Sequence, residues 1–259
     1  MFLERIVEEK RKEIEKLKGV LPEGSELPGI KPAVSLSEAI RKARTGPALI
    51  AEVKPASPSK GIIREQVDPV PVATAYQRGG ASAVSVLTDR RFFGGAGDSL
   101  KKVKKAVSIP VLRKDFILDP LQVRESRLLG ADAVLLIAAL LDREQLKLLS
   151  GLAHSLGMEV LVEIHREEEI ERALACEPDV IGINNRDLVT FVIDLETTER
   201  LRPLLPDTIP VIGESGVSSP EDMRRMARAG VDGVLVGEYL MRQADPEQAV
   251  RSLIGGGNP

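Results

Sequence analysis

The chain has 259 residues, 43% of them apolar and only 3% aromatic, with no tryptophan and a formal net charge of −3. That length and apolar content suit one large domain with a sizeable core, while the acidic balance and scarcity of aromatics argue against a nucleic-acid surface. A single cysteine, Cys176, excludes an internal disulfide and a cysteine-rich metal site and fits a reducing, cytoplasmic compartment. No membrane-length apolar run and no signal segment is seen, so no membrane partner is expected.

Residues 2–18 read as a charged amphipathic helix, with Leu3, Ile6, Val7, Ile14 and Leu17 spaced among charges. Residues 21–34 carry Pro and Gly and read as a connector; residues 37–43 read as a short second helix. Neither stretch joins a strand–helix alternation, so 1–47 is expected to be an N-terminal helical extension packed on a barrel formed by 48–259. From Ala48 onward short apolar runs alternate with helical stretches. The predicted strands are 48–54, 82–88, 109–114, 132–137, 158–164, 179–184, 209–214 and 232–236. Each is followed by a helical segment, which implies parallel pairing. Runs such as Ala133-Val-Leu-Leu-Ile137 are apolar on both faces, as strands covered by helices must be. The fold class is therefore α/β, a (β/α)8 barrel.

An internal echo supports closure. Gly130-Ala-Asp-Ala-Val-Leu-Leu136 resembles Gly230-Val-Asp-Gly-Val-Leu-Val236, and Ile109-Pro-Val-Leu resembles Ile209-Pro-Val-Ile, both at an offset of 100 residues. Leu49-Ile-Ala-Glu-Val53 and Val160-Leu-Val-Glu-Ile164 place a glutamate alike. An open doubly wound sheet, the rival architecture, predicts a switch point rather than two matching halves. The end at 255–259 is glycine-rich and expected to be mobile.

Polar residues gather at the strand ends. Strand one ends Glu52-Val-Lys54, with both side chains on one face by alternation. Strand three ends Arg113-Lys114-Asp115, strand five Glu163-Ile-His165, strand six Asn184-Asn185-Arg186 and strand seven Glu214-Ser215. In a barrel these ends converge on the catalytic face. Carboxylates, lysines, an amide and an arginine in one layer form an inventory for acid–base work on an anionic, phosphorylated substrate. Like charges raise a carboxylate's pKa and a neighbouring lysine lowers it, so one group could be protonated and another ionised near pH 7. Any one glutamate could instead only salt-bridge a lysine; five charged strand ends in register fit a purely structural account poorly. His165 could be a base or a ligand, but with only His154 elsewhere no metal is expected. The runs at 101–105 and 166–169 read as solvated helix faces.

Two loops suit a phosphate. After strand seven come Glu214-Ser-Gly216 and then Ser218, Ser219 and Pro220, a helix start; strand eight ends in Gly237-Glu238. Gly-bearing turns after strands seven and eight offer backbone N–H groups to an anion, although each glycine could serve a turn alone. The first loop, 55–61, carries Ser57 and Ser59, which could contact phosphate and close over a ligand. Phe92, Phe93 and Phe116 stand at the mouth, able either to sandwich an aromatic ring or to pack a lid.

These blocks resemble one family in order. Glu52-Val-Lys54 with Ala56-Ser-Pro-Ser-Lys-Gly61, Ser85-Val-Leu-Thr-Asp89, Phe92-Phe-Gly94, Leu112-Arg-Lys-Asp-Phe116, Glu163-Ile-His165, Gly182-Ile-Asn-Asn-Arg-Asp-Leu188 and Gly213-Glu-Ser-Gly216 look like those of indole-3-glycerol phosphate synthase. The resemblance runs nearly end to end. It implies a carboxy-lyase of tryptophan biosynthesis that needs no cofactor and takes 1-(2-carboxyphenylamino)-1-deoxyribulose 5-phosphate, closing the indole ring with loss of carbon dioxide and water. It implies that Lys114 protonates the ketone oxygen, Glu163 is the acid–base group of dehydration, Lys54 holds the substrate carboxylate, and Glu52 orients Lys114. Asn184 and Arg186 would position hydroxyl and carboxylate groups, and Glu214 would meet the ribulose chain. Ser57, Ser215, Gly216, Gly237 and the Glu238 N–H would hold phosphate, and Phe93 and Phe116 would flank the ring. The expected state is a monomer or weak homodimer. Pro55, where a basic residue is frequent, Val189 and Val192, where charge is expected, and Tyr239, where a small residue is usual, depart from the pattern. A sugar-phosphate isomerase, a Schiff-base aldolase using Lys54 or Lys114, and a non-catalytic phosphosugar-binding barrel are the alternatives.

Overall fold

The computed structural model describes residues 2–21, 32–44 and 46–255, so most of the 21–34 connector and nearly all of the glycine-rich end lie outside the described residues. Eight parallel strands close on themselves: β1 (Ala48–Val53), β2 (Ala83–Leu87), β3 (Val111–Lys114), β4 (Ala133–Ile137), β5 (Glu159–Ile164), β6 (Val180–Asn184), β7 (Val211–Glu214) and β8 (Gly233–Val236), with β1 bonded to both β2 and β8. All eight predicted strands form.

Strands β2 to β8 begin one or two residues later than predicted. For β3 and β7, which begin two residues late, the reason lies in the repeated segments. Pro110 and Pro210 have no N–H to give a ladder. The next residues, Val111 and Val211, donate their N–H groups to Asp132 Oδ2 at 2.7 Å and Asp232 Oδ2 at 2.8 Å. The 100-residue echo is thus a physical device: an aspartate at the foot of β4 and of β8 satisfies the first donor of the strand before it. Asp179 similarly accepts from the second residue of β5, Val160, at 2.8 Å.

Alternation sorts the rest. Ile50, Leu112, Leu161, Ile212 and Leu235 point inward and fill the barrel, while Val84, Val134, Val162, Ile181 and Val234 point outward under the helices. Two further steps along the inward row reach the mouth, which is why Glu52, Lys114, Glu163, Asn184 and Glu214 meet there. The covering helices start where aspartate or serine caps precede proline, at Asp68-Pro69, Asp119-Pro120 and Ser219-Pro220.

The N-terminal helices close the two ends. Helix α1 (Phe2–Lys18) crosses the mouth and buries Ile6 against the inner core. Helix α2 (Leu36–Arg41) plugs the opposite end with Leu36 and Ile40, both fully buried and each worth roughly 1.5–3 kcal/mol. Its cap, Ser35, and Ser37 bond Glu159 at the start of β5, at 2.5 and 2.9 Å. Among the described residues no helix is long and apolar enough to cross a membrane.

Candidate active site

A cavity of about 380 Å³ opens at the carboxyl ends of the strands, and every residue to which the resemblance gives a role lies on its wall. At its centre Lys114 Nζ, near the tip of β3, sits 2.7 Å from Glu163 Oε2 and 2.8 Å from Glu214 Oε2. Asn184 Nδ2 donates to Glu163 Oε1 at 3.1 Å and so turns that carboxylate. Four strands thereby contribute to one hydrogen-bonded charged cluster. Gly182, inward on β6, makes room for it: a Cβ there would stand 2.1 Å from Glu214 Oε1.

Glu52 departs from the expectation. Its ion-pair partner is Lys54, at 3.0 Å, whereas Lys114 is held by Glu163 and Glu214. The i,i+2 spacing on β1 puts the two side chains side by side, and this local pairing takes precedence. Gly237 gives Glu52 its space, since a Cβ there would meet Glu52 Oε1 at 2.5 Å. Arg113 and Lys114 point oppositely, and Arg113 is buried in the outer layer with Gln122, Ser126 and Glu125.

One wall is aromatic. The rings of Phe93 and Phe116 stand 5.9 Å apart at 40°, and Lys54 Nζ lies 5.8 Å from the Phe93 centroid. Leu3 and Ile6 of α1 complete this side; the sequence reading treated them as packing only. The opposite rim carries the loops after β7 and β8. Ser215 and Gly216 adopt left-handed backbone (φ +65° and +93°), which turns the chain sharply after Glu214. A side chain at Gly216 would strike Ile193 and Leu195 at 2.7 and 2.8 Å. Gly237 caps the short helix Glu238–Arg242, whose first N–H groups have no partner within the helix. Ser57 also lines the cavity.

The first loop is more ordered than expected of a Pro/Ser-rich stretch. It folds into an antiparallel ribbon, Ala56–Ser57 against Gly61–Ile62. The Pro55 carbonyl accepts from Ile63 and Arg64 N–H at 2.8 and 3.1 Å, so the proline anchors the ribbon's base. Arg186 Nη1 reaches Ser59 Oγ at 3.1 Å across the mouth, and Lys60 stands 4.0 Å from Glu238. Lys60 lines the cavity too; a lone loop cation carried no periodic signal that would have marked it. Tyr239 packs its ring partly into the barrel–helix layer at the cavity edge, and Val189 and Val192 face solvent.

Charge balance separates the carboxylates. Burial would lower Lys114, but Glu163, Glu214 and Glu52 outweigh it and hold the ammonium well above its ordinary range. Burial would likewise raise Glu163, yet Lys114 and His165 pull it down to about 2. Glu214 is left over: burial lifts it to about 7, Lys114 opposes, and the charges of Glu163 and Glu52 add to the rise. Its Oε1 has no hydrogen-bond partner among the described residues. The same surroundings thus favour the charged forms of Lys114 and Glu163 and disfavour that of Glu214. His165 lies behind Glu163, with Nε2 3.3 Å from Glu163 Oε1; burial opposes its charge, but Glu169 and Glu163 raise its pKa. Among the described residues no group of three or more His, Cys, Asp or Glu side chains is arranged to hold a metal.

Residues 3–253 match the family model described as indole-3-glycerol phosphate synthase. A protein of that name from Geobacillus thermodenitrificans (strain NG80-2) is 53% identical over 255 residues, covering 98% of this chain and 97% of its own length. Another from Dehalococcoides mccartyi (strain CBDB1) is 49% identical over 259 residues, covering 98% of this chain and 100% of its own. Among solved structures, a thiamine phosphate pyrophosphorylase from Pyrococcus furiosus superposes with a TM-score of 0.62 at 17% identity, covering 86% of this chain and 97% of that one. At that identity the likeness shows the barrel and no more.

Proposed function

The chain belongs to the indole-3-glycerol phosphate synthase family, and from that premise we propose how its own residues divide the work of the reaction. The activity is a carboxy-lyase ring closure: 1-(2-carboxyphenylamino)-1-deoxyribulose 5-phosphate becomes indole-3-glycerol phosphate, carbon dioxide and water. The phosphate docks on the Ser215-Gly216 and Gly237-Glu238 loops with Ser57 above it. The arene lies between Phe93 and Phe116. Lys54, steadied by Glu52, receives the substrate carboxylate.

From there the chemistry follows the charges. The ring carbon bearing the carboxylate attacks the ketone carbon, and the carbonyl π electrons move to oxygen. Lys114 gives that oxygen its proton, where an ammonium is apt because negative charge develops there. The bond to the carboxylate then breaks, carbon dioxide leaves, and its electron pair restores the aromatic ring. In dehydration the hydroxyl departs with a proton and the adjacent carbon loses one, with Glu163 as the main acid–base group and Lys54 as an additional acid. Asn184 orients Glu163, Arg186 positions a hydroxyl or the carboxylate, and Glu214 meets the ribulose chain while restraining Lys114.

One observation carries the assignment: a lysine ammonium shared by two buried carboxylates, 2.7 and 2.8 Å away, between an aromatic wall and a glycine-rich rim. It also speaks against Lys114 as a Schiff-base lysine, since imine formation needs a neutral amine and its carboxylate neighbours favour the ammonium; the borohydride arm below tests Lys54 as well. The test is incubation with the named substrate, following indole fluorescence and released carbon dioxide, with a parallel borohydride treatment. Equimolar indole-3-glycerol phosphate and carbon dioxide without borohydride inactivation are expected. Folded protein that yields no indole-3-glycerol phosphate, or a lysine trapped by borohydride, overturns the assignment.

We further read residues 1–47 as an N-terminal helical extension packed on the 48–259 barrel, and the protein as a cytoplasmic monomer or weak homodimer that uses no cofactor. Support for the weak association is that the exposed apolar side chains Leu128, Leu148 and Leu204 lie on separate elements, and that Val189, Val192 and Ile193 form only a small group in one loop. Sedimentation at micromolar concentration tests it; a tight dimer refutes it.

A further inference from the structure

Lys10 stands in the apolar stripe of α1, one turn from Ile6 and one from Ile14, and its side chain is 1% exposed. A lysine is rarely buried unless paired. Its Nζ lies 2.8 Å from Asp89 Oδ2 and 2.8 Å from Asp115 Oδ1, with Glu13 Oε2 at 2.7 Å from its own helix. Asp89 Oδ2 has no hydrogen-bond donor and rests against the ammonium as an ion pair.

Both aspartates have a second task. Asp89 Oδ1 caps the turn Arg90–Phe93, accepting from Phe92 N–H at 2.7 Å and Phe93 N–H at 3.2 Å. Asp115 Oδ1 accepts from Phe116 N–H at 2.8 Å, while its Oδ2 is tied to Arg113 and Thr88. One ammonium therefore joins the two carboxylates that fix the backbone of the two aromatic walls. Each phenylalanine belongs to a different strand-end loop, and the helix supplying the ammonium also supplies Leu3 and Ile6 to the same side of the cavity. Asp115 follows Lys114 directly, so the bridge also borders the central cluster.

We propose that Lys10 is a positioning residue of the active site: through Asp89 and Asp115 it sets the slot between Phe93 and Phe116 that takes the substrate's ring. A purely structural lysine would anchor α1 and leave ring recognition untouched. A slot-setting lysine controls the spacing of two walls that must grip a planar ring, and displacements on the order of 1 Å cost on the order of 10²-fold in turnover. The proposal rests on the ring lying between these phenylalanines, as argued above.

The test uses the full chain with Lys10→Met and with Lys10→Met combined with Asp89→Asn. The second variant removes one of the carboxylates left unpaired, while the oxygen of the new side-chain amide can still cap the Phe92 and Phe93 N–H groups. Binding of indole-3-glycerol phosphate, which carries the ring, is compared with binding of glycerol 3-phosphate, which lacks it, alongside kcat and KM. A ring-selective loss of about tenfold in affinity is expected in whichever variant is folded, with glycerol 3-phosphate within about twofold of wild type and kcat lowered. A lower Tm with both affinities unchanged, or both weakened alike, overturns the proposal. Wild-type protein and Phe93→Ala are run beside it. If wild type binds the ringed ligand no better than the ringless one, or Phe93→Ala leaves that preference intact, the reading of the slot itself fails.

Discussion

Replacing Gly182 with alanine adds a single carbon to the inner wall of β6, in ordinary extended backbone. That carbon would lie 2.1 Å from Glu214 Oε1 and 3.2 Å from its Cδ. Contacts below 3.0 Å do not persist, so the carboxylate must retreat by about 0.9 Å, the difference between 3.0 and 2.1 Å. Glu214 Oε2 moves with it and loosens from Lys114 Nζ, which it meets at 2.8 Å. Lys114, the lysine proposed to protonate the ketone, then loses one of its two restraints, and a shift on the order of 1 Å in a positioned group costs on the order of 10²-fold. Stability changes less. Alanine returns roughly 0.4–1 kcal/mol through the unfolded chain, against about 1–3 kcal/mol for disturbing a buried charged contact, so the melting point drops by a few degrees. Initial rates from indole fluorescence, read with a circular-dichroism melt, give both numbers. A kcat within about twofold of wild type would show that the placement of Glu214 is not part of the working site. A double-mutant cycle sharpens the result: on a Glu214→Gln background the same alanine should cost clearly less, because the group it displaces has already been altered.

The remaining predictions test separate links. Lys114→Ala should lower kcat by about 10²–10⁴-fold with unchanged far-ultraviolet dichroism; activity near wild type would remove Lys114 from its role. Glu214 has its folded pKa raised from 4.5 to about 7, so its contribution to stability is full below 4.5 and is lost as pH rises through 7. Moving from pH 5 to pH 8 should therefore shift the stability difference in favour of Glu214→Gln, by at most about 3 kcal/mol; a difference that does not change with pH contradicts the protonated resting state. At the barrel foot, Asp132 accepts from Val111, Val34 and Lys104 at 2.7, 2.8 and 2.6 Å, whereas its counterpart Asp232 is exposed and holds Val211 at 2.8 Å. Asp132→Ala should cost more than Asp232→Ala, about 1–3 kcal/mol against about 1 kcal/mol in denaturant melts, with KM unmoved in both. Equal losses would mean that the second and third bonds at Asp132 contribute nothing.

Much of this molecule is written in local pattern. The eight apolar runs, the caps before Pro69, Pro120 and Pro220, and the stripe on α1 all follow from side-chain period and turn chemistry, which act over a few residues. The strand-end charges were legible for the same reason: once alternation assigns Ile50 and Leu112 inward, Glu52 and Lys114 must follow them to the mouth. The departures from expectation involve longer range. Glu52 was expected to orient Lys114; its ion pair is with Lys54, two residues on in the chain, and it reaches Lys114 only through its charge. The ribbon in the first loop was hidden because a Pro/Ser-rich stretch has no two-residue period to show. Lys10 was a charge on a helix face until the loops after β2 and β3 brought two aspartates beneath it.

Sequence alone determined the barrel, its direction and the chemical stock of its mouth, because strand period and helix capping are properties of neighbouring residues. Tertiary structure alone decided which charges neutralise one another. Lys114 is held between Glu163 and Glu214, residues 49 and 100 positions away, and the upward push on the Glu214 pKa comes from burial and from Glu163 and Glu52 rather than from any residue beside it in the chain. Pairing energies of buried charges are set by distances of a few ångströms across the barrel, and those distances exist only once it has closed.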